Sequence, residues 1–139
     1  MNIKVVEIDE VMVNISRKWF GLNPDGRQRV IIEDGAEFVR TAVREERRTY
    51  NVIYLDACTV SRNGTLNCPP DNFLSLEVVS NFRELLNDRG ILIIHVMSDS
   101  DLKDAAIRVS FGLMRSLFHV HIVAGKRTKP SFIFGSDML

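Results

Sequence analysis

Four short runs rich in Val, Ile and Leu constrain the fold of this chain more than any other feature. They lie at residues 3–8, 29–32, 50–55 and 91–96. Each run is almost continuously apolar, instead of alternating apolar with polar residues. This pattern is typical of parallel strands covered by helices on both faces of their sheet. We therefore predict four strands that are buried on both faces.

Helical patterns lie between and after these runs. Their apolar residues recur at spacings of three and four, which places them on one face of a helix. The predicted helices span residues 11–20, 36–46, 76–86 and 102–117. Strand and helix thus alternate at short intervals, which favours an α/β fold with a doubly wound, mostly parallel sheet. Two last runs, residues 119–123 and 131–134, predict an antiparallel hairpin at one edge of that sheet.

The first predicted helix carries signals at both ends. Asp9 stands where an N-cap belongs, and Gly21 stands where a helix usually ends. The apolar face between them holds Val11, Met12, Ile15 and Trp19. We expect Trp19 and Phe20 to lie in the core at the end of this helix.

Length and charge restrict the class of protein to which the chain can belong. A chain of 139 residues is of single-domain size, so residues 1–139 are predicted to form one domain. Its 18 basic and 18 acidic residues balance, which argues against partners such as nucleic acid or a membrane surface. No apolar run approaches the roughly 20 residues of a membrane helix. Cys58 and Cys68 have no second pair, so we expect inert free thiols in a reducing, cytoplasmic location, and a disulfide between them is the alternative.

Acidic side chains follow three of the predicted strands. Glu7, Asp34 and Asp56 end or follow successive strands, and His95 lies near the end of the fourth. Ligands of open α/β sheets bind outside the carboxyl ends of the parallel strands. Glu7 is the natural acceptor for the two hydroxyls of a ribose. The alternative for each acid is a solvated residue or a helix cap.

Asp34 and Gly35 leave two interpretations open. They can contact the amino group of an adenine, or they can be the cap and turn before the next helix. Asp56 can likewise be a site residue, or a carboxylate that only tethers the following loop. That loop, residues 57–72, contains no obvious helix or strand, and its length favours a functional or a disordered segment.

Five motifs, taken in order, give the chain a specific resemblance. They are VVEIDEVM (5–12), WFGL (19–22), EDGAEF (33–38), YNVIYLDA (50–57) and TLNCPPDNF (65–73). Together they resemble the spermidine-synthase-like branch of the class I methyltransferase fold. Within that branch they are most similar to the C-terminal domain of the elongation factor 1-alpha lysine and N-terminal methyltransferase family. The resemblance runs from residue 3 to about residue 134.

The resemblance implies a role for each matching position. Glu7 would bind the ribose of the cofactor S-adenosylmethionine, and Ile8 would pack on its adenine. Asp34 and Gly35 would hold the adenine amino group. Asp56 would lie beside the methionine part of the cofactor, and as the catalytic residue it would orient an amine substrate or take its proton.

The resemblance also implies an activity and partners. It implies methyl transfer to a protein, namely the amino terminus of elongation factor 1-alpha, by a domain that tends to form homodimers. One alternative is a truncated, non-catalytic module for interaction or dimerisation. A weaker alternative is a spermidine-synthase-like aminopropyltransferase, which is disfavoured because the family's second acid, shortly after Asp56, is missing from DACTVS.

One departure from the family concerns the start of the chain. The family's first strand and its glycine-rich cofactor loop would precede residue 3, and no Gly-x-Gly segment elsewhere replaces them. We therefore expect an N-terminally truncated domain in which cofactor binding is weakened or lost. No metal site is predicted, because His119 and His121 alternate on one strand without a third ligand.

Overall fold

The computed structural model describes residues 1–45, 50–60 and 66–98, together with Ile107 and Val109. The chain divides into two compact units, Met1–Thr41 and Ala42–Leu139. The predicted helix at residues 102–117 lies outside the described residues apart from Ile107 and Val109, which are both helical. The predicted hairpin at residues 119–134, with His119 and His121, also lies outside them.

The first unit is built on a strand–helix–strand arrangement. Strand β1 (Ile3–Glu7) leads into helix α1 (Glu10–Trp19), then strand β2 (Gln28–Ile32) and helix α2 (Gly35–Glu45), whose last turn extends into the second unit. The two strands are parallel, and their register runs from Ile3 opposite Gln28 to Glu7 opposite Ile32. The predicted strands and helices of this unit are confirmed to within two residues at each end.

Both predicted end signals of α1 are confirmed. Asp9 is the N-cap, and its Oδ1 accepts a hydrogen bond from the backbone N–H of Val11 at 2.8 Å. At the other end Gly21 has a φ of +70°, and the N–H of Leu22 donates to the carbonyl of Ser16. The acceptor lies six positions before the donor, and the left-handed conformation of Gly21 lets the chain turn back to reach it, which ends the helix.

The predicted burial of this unit is wrong in two respects. Val5 and Ile32 are exposed, so the parallel pair is not covered on both faces. Trp19 and Phe20 are 69% and 81% exposed, and the buried residue of α1 is Val13. The reason is that the sheet is narrow, because neighbouring strands lie about 5 Å apart, whereas a helix with its side chains is about 10 Å across. A sheet of two strands therefore cannot cover the whole apolar stripe of a helix.

The second unit holds the other parallel pair. Strand β3 (Tyr50–Leu55) pairs with β6 (Leu86–Ile94). The strand predicted at residues 91–96 coincides with the latter part of β6, which begins five residues before it and ends two residues before its end. Three short strands form a separate antiparallel sheet in the order β4 (Thr59–Val60), β5 (Leu66–Cys68) and β7 (Met97–Ser98). Residues 57–72 were predicted to lack regular structure, and in their described part this is wrong, since β4 and β5 lie there. Val52 and Tyr54 are exposed, so β3 too is not buried on both faces.

Helix α3 (Leu76–Leu85) supplies much of the core of the second unit. It follows a 3₁₀ helix, Asp71–Leu74, and its N-cap is Ser75, whose Oγ accepts from the N–H of Val78. The helix contacts the 3₁₀ helix and β6. Its fully buried residues are Val78, Val79, Phe82 and Leu85. Strand β6 begins at Leu86, the residue directly after the helix, so no loop separates the two elements.

The start of β6 is irregular. Tyr50 pairs with Leu86, but Val52 pairs with Ile91, so β6 carries extra residues at positions 87–90. The side chain of Asn87 turns the chain here, because its Oδ1 accepts from the N–H of Arg89 at 3.1 Å. Gly90 closes the turn against Leu86, and a Cβ on Gly90 would lie 2.8 Å from Leu86 Cδ2. In the described part of the chain, no helix is both long enough and apolar enough to cross a membrane.

Replacement of Gly90 by alanine is expected to destabilise the protein. The new methyl group would also lie 2.9 Å from the Cβ of Leu86, whose side chain is 1% exposed and cannot turn into solvent. Such overpacking costs about 1–3 kcal/mol of unfolding free energy. Urea unfolding followed by circular dichroism measures the change.

Gly26→Ala is the matched control, because a Cβ at Gly26 would meet no atom within 4 Å. Its unfolding free energy should stay within about 0.5 kcal/mol of the parent. Equal unfolding midpoints for the two variants would contradict the close approach at Gly90.

Candidate functional site

The first unit brings Glu7 and Asp34 to one edge of its sheet. Because β1 and β2 are parallel and in register, their carboxyl ends lie together. One further backbone bond continues the ladder past the strands, from the N–H of Glu33 to the carbonyl of Glu7 at 3.1 Å. Glu7 ends β1, and Asp34 lies two residues past the end of β2. The structure thus places both predicted site acids at the ligand edge of an α/β sheet.

One side-chain oxygen of Glu7 accepts a hydrogen bond from a nearby backbone group. Its Oε1 accepts from the N–H of Asp9 at 2.9 Å, which fixes the turn between β1 and α1. Among the described residues, nothing engages Oε2. A carboxylate oxygen can accept two hydrogen bonds, so Glu7 retains capacity for two hydroxyl donors. Ile8, the next residue, is 67% exposed and presents an aliphatic surface at the same turn.

Asp34 caps helix α2. Its Oδ1 accepts from the N–H of Ala36 at 2.8 Å and from the N–H of Glu37 at 3.0 Å, and Gly35 is the first residue of the helix. The cap-and-turn interpretation of Asp34 and Gly35 is therefore confirmed. The adenine contact stays a prediction, since the cap occupies only one of the two carboxylate oxygens.

The second unit joins Asp56 to His95. Asp56 follows β3, His95 follows β6, and these parallel strands end at the same edge. The N–H of His95 donates to the carbonyl of Leu55 at 2.9 Å, and the side chains meet at 2.7 Å between Asp56 Oδ1 and His95 Nδ1. A carboxylate only accepts hydrogen bonds, so Nδ1 carries the proton in this pair. Nε2 is then the nitrogen that can exchange a proton.

Cys58 and Cys68 form a disulfide, so the prediction of free thiols is wrong. Strand β5 runs antiparallel to β4 and returns Cys68 toward the segment that follows β3. The two Cα atoms are 4.4 Å apart, within the range that a disulfide spans. The signal in the sequence was the pair itself, two cysteines ten residues apart in one segment. A reducing compartment, which the low cysteine count favours, predicts free thiols instead.

His95 lies next to this disulfide. A ring nitrogen of His95 and the sulfurs of Cys58 and Cys68 lie within 4.8 Å of one another. Cys58 is exposed, Cys68 is buried and His95 is half-buried. The sequence placed His95 near a strand end, but no spacing along the chain indicated its contact with Asp56 or its approach to the sulfurs. The contact joins residues that lie 39 positions apart, and the approach to the sulfurs depends on the same pairing of β3 with β6.

These side chains define two kinds of chemistry. The edge of the first unit offers carboxylate oxygens and an aliphatic surface, which suit a ribose and a flat base. The edge of the second unit offers an imidazole oriented by a carboxylate, which is an arrangement for moving a proton.

Curated proteins match most of the chain. The eEF1A lysine and N-terminal methyltransferase of Bos taurus is 33% identical over 107 residues, which are 76% of this chain and 15% of the relative. The polyamine aminopropyltransferase of Vibrio vulnificus (strain CMCP6) is 29% identical over 114 residues, which are 80% of this chain and 36% of the relative. No protein-family model matches the chain. The chain spans 15–17% of the length of the eEF1A methyltransferases it matches.

A solved structure matches more of the chain. The crystal structure of human methyltransferase-like protein 13 in complex with SAH is similar at a TM-score of 0.74 and 26% sequence identity. The match covers 90% of this chain and 57% of that chain. With parallel strand pairs, intervening helices and acids at the strand ends, this likeness defines a Rossmann-like domain of the class I methyltransferase fold. The predicted α/β fold class is confirmed.

Within that class, the chain is a homologue of the eEF1A lysine and N-terminal methyltransferases. The likeness to an aminopropyltransferase agrees with the spermidine-synthase-like branch of the fold. The family resemblance drawn from the five sequence motifs is therefore confirmed.

Replacement of Asp34 by alanine is expected to lower the unfolding free energy by about 1 kcal/mol, because two N–H groups of α2 lose their acceptor. Asp34→Ser should lie close to the parent, since serine also caps helices well. Thermal unfolding of both variants by circular dichroism measures the difference. Equal losses of stability in the two variants would contradict the capping role.

Proposed function

We propose that this chain is the cofactor-binding part of an S-adenosylmethionine-dependent protein methyltransferase domain, and that residues 1–139 act as one domain. The observation that carries the proposal is Glu7, which ends β1 with acceptor capacity to spare beside the exposed Ile8. The solved relative in complex with SAH, the demethylated form of this cofactor, supports the same ligand.

The residues of the first unit fit such a cofactor. Glu7 would accept the ribose hydroxyls, and Ile8 would contact the adenine. Asp34 keeps Oδ2 for the adenine amino group while Oδ1 caps α2, and Gly35 would let the base approach the start of that helix. Bound S-adenosylmethionine would supply an electrophilic methyl group on its sulfonium.

Asp56 is the proposed catalytic residue of the second unit. One of its oxygens is held by His95 at 2.7 Å, which fixes the orientation of the carboxylate. The other oxygen would orient an amine substrate and accept its proton, since an amine must be neutral to attack a methyl group. The proposed substrate is the amino terminus of elongation factor 1-alpha, the factor named in the relatives that the chain matches. The proposal also includes that the protein forms a homodimer and is located in the cytoplasm.

Calorimetric titration of the 139-residue chain with S-adenosylhomocysteine tests cofactor binding. We expect weak but saturable heat, because the glycine-rich cofactor loop is missing, and we expect Glu7→Ala to weaken binding by a further factor of at least about ten, because each hydrogen bond to a charged acceptor contributes about 1.5–3 kcal/mol. Glu7→Gln keeps one acceptor oxygen and should fall between the two.

Asp9→Ala is the control for this titration. It removes the cap of α1 next to Glu7, so it should cost about 1 kcal/mol of stability and leave the affinity unchanged. A folded chain without any binding heat would favour the alternative function, a non-catalytic module for interaction or dimerisation.

Asp56→Asn tests catalysis, since asparagine keeps the shape of the side chain but cannot take a proton. We expect methyl transfer from labelled S-adenosylmethionine to a peptide with the amino-terminal sequence of elongation factor 1-alpha to slow by about 10²-fold or more. Glu45→Gln removes the same charge from an exposed position of α2 and should leave the rate unchanged. An unchanged rate in Asp56→Asn would remove Asp56 from the mechanism.

A further inference from the structure

We propose that Cys58 and Cys68 are a thiol–disulfide exchange site for low-molecular-weight thiols, with His95 as its proton carrier. This proposal does not depend on methyl transfer or on cofactor binding. It rests on four residues of the second unit and on the contacts among them.

The two cysteines differ in accessibility. Cys58 is exposed, whereas Cys68 is 3% exposed. Exchange requires that the attacking sulfur approach one sulfur of the disulfide while the other departs. A small thiol in solution can therefore reach Cys58, and Cys68 is the sulfur that leaves.

The proton carrier is positioned by Asp56. A ring nitrogen of His95 lies within 4.8 Å of both sulfurs, and Nδ1 is held by Asp56 at 2.7 Å. A base beside a sulfur nucleophile, itself oriented by a third polar group, is the arrangement that activates thiols in enzymes. Imidazole suits the task because one ring nitrogen can accept a proton while the other donates to a carboxylate. Asp56 acts through His95 and is here a positioning residue.

The proposed exchange takes place in two steps, in which atoms, protons and electrons balance. In the first, His95 takes the proton of the incoming thiol, whose sulfur forms a bond to Cys58 Sγ. The bond between the two cysteines breaks, its electron pair leaves on Cys68 Sγ, and His95 returns the proton to that thiolate. In the second step another thiol attacks the small-molecule sulfur of the mixed disulfide and releases Cys58 as a thiol. The protein disulfide gains two electrons, and two small thiols are oxidised to one disulfide.

The exchange also has a structural consequence at the edge of the second unit. Cys58 lies two residues after Asp56, and Cys68 is paired with Met97 in the antiparallel sheet. The disulfide therefore ties the segment after β3 to the sheet formed by β4, β5 and β7. Its reduction removes that tie.

Reaction of the oxidised 139-residue chain with reduced glutathione tests the proposal. Acid-quenched samples, alkylated and analysed by peptide mass spectrometry, give the rate and the site of attack. We expect a glutathione adduct on Cys58 before any on Cys68, followed by the dithiol form. We expect His95→Ala to slow the reaction at least about tenfold, and added imidazole to restore much of the rate. A purely structural role for His95 would not give this chemical rescue.

Single-cysteine variants test the same asymmetry without a disulfide. With oxidised glutathione, Cys58 in Cys68→Ser should be modified at least about tenfold faster than Cys68 in Cys58→Ser, because reactivity follows exposure. Gly26→Ala, in the first unit, is the control that should leave the exchange rate of the intact pair unchanged, since a Cβ there would meet no atom within 4 Å. Three results would each overturn the proposal: a folded chain whose disulfide resists glutathione, first attack at Cys68, or an unchanged rate in His95→Ala.

Discussion

The backbone hydrogen bond from His95 to Leu55, at 2.9 Å, fixes the arrangement on which the second unit depends. It continues the parallel pairing of β3 and β6 by one step and holds the residues after both strands side by side. Asp56 and His95 meet for this reason, although they lie 39 positions apart in the chain. Cys58 follows Asp56 by two positions, so the disulfide also comes to lie beside the imidazole. One ladder thus assembles a carboxylate, an imidazole and two sulfurs.

Local signals in the sequence predicted most of the elements. The apolar runs at residues 3–8 and 50–55 are strands. The helical spacing of the apolar residues predicted α1, α2 and α3 to within one residue at the described ends. Capping was also predictable, because Asp9 acts on backbone groups only two residues away. Such features depend on short stretches of chain, and a single sequence contains all the information they need. The acids at the strand ends follow from the same stretches once the strands are known.

The features that the sequence did not predict depend on residues far apart in the chain. The Cys58–Cys68 bond requires the antiparallel turn between β4 and β5, and those strands are too short to show a period. The contact of Asp56 with His95 requires the register of β3 against β6. The prediction of burial is wrong for a related reason, since the apolar stripe of α1 predicts a helix but does not show which element covers that stripe. Trp19 belongs to a correctly predicted helix and is nevertheless exposed.

The direct passage from α3 into β6 has a mechanical consequence. Leu85 ends the helix and Leu86 begins the strand, both are 1% exposed, and no residue between them can act as a hinge. Helix α3 and the first residue of β6 must therefore move together, and the turn at residues 87–90 is the first place where the chain can bend before the rest of β6. Because Leu86 also pairs with Tyr50, this fixed junction links α3 to the start of β3. An inserted residue at this junction would break that linkage, because it would free the strand from the helix that holds it.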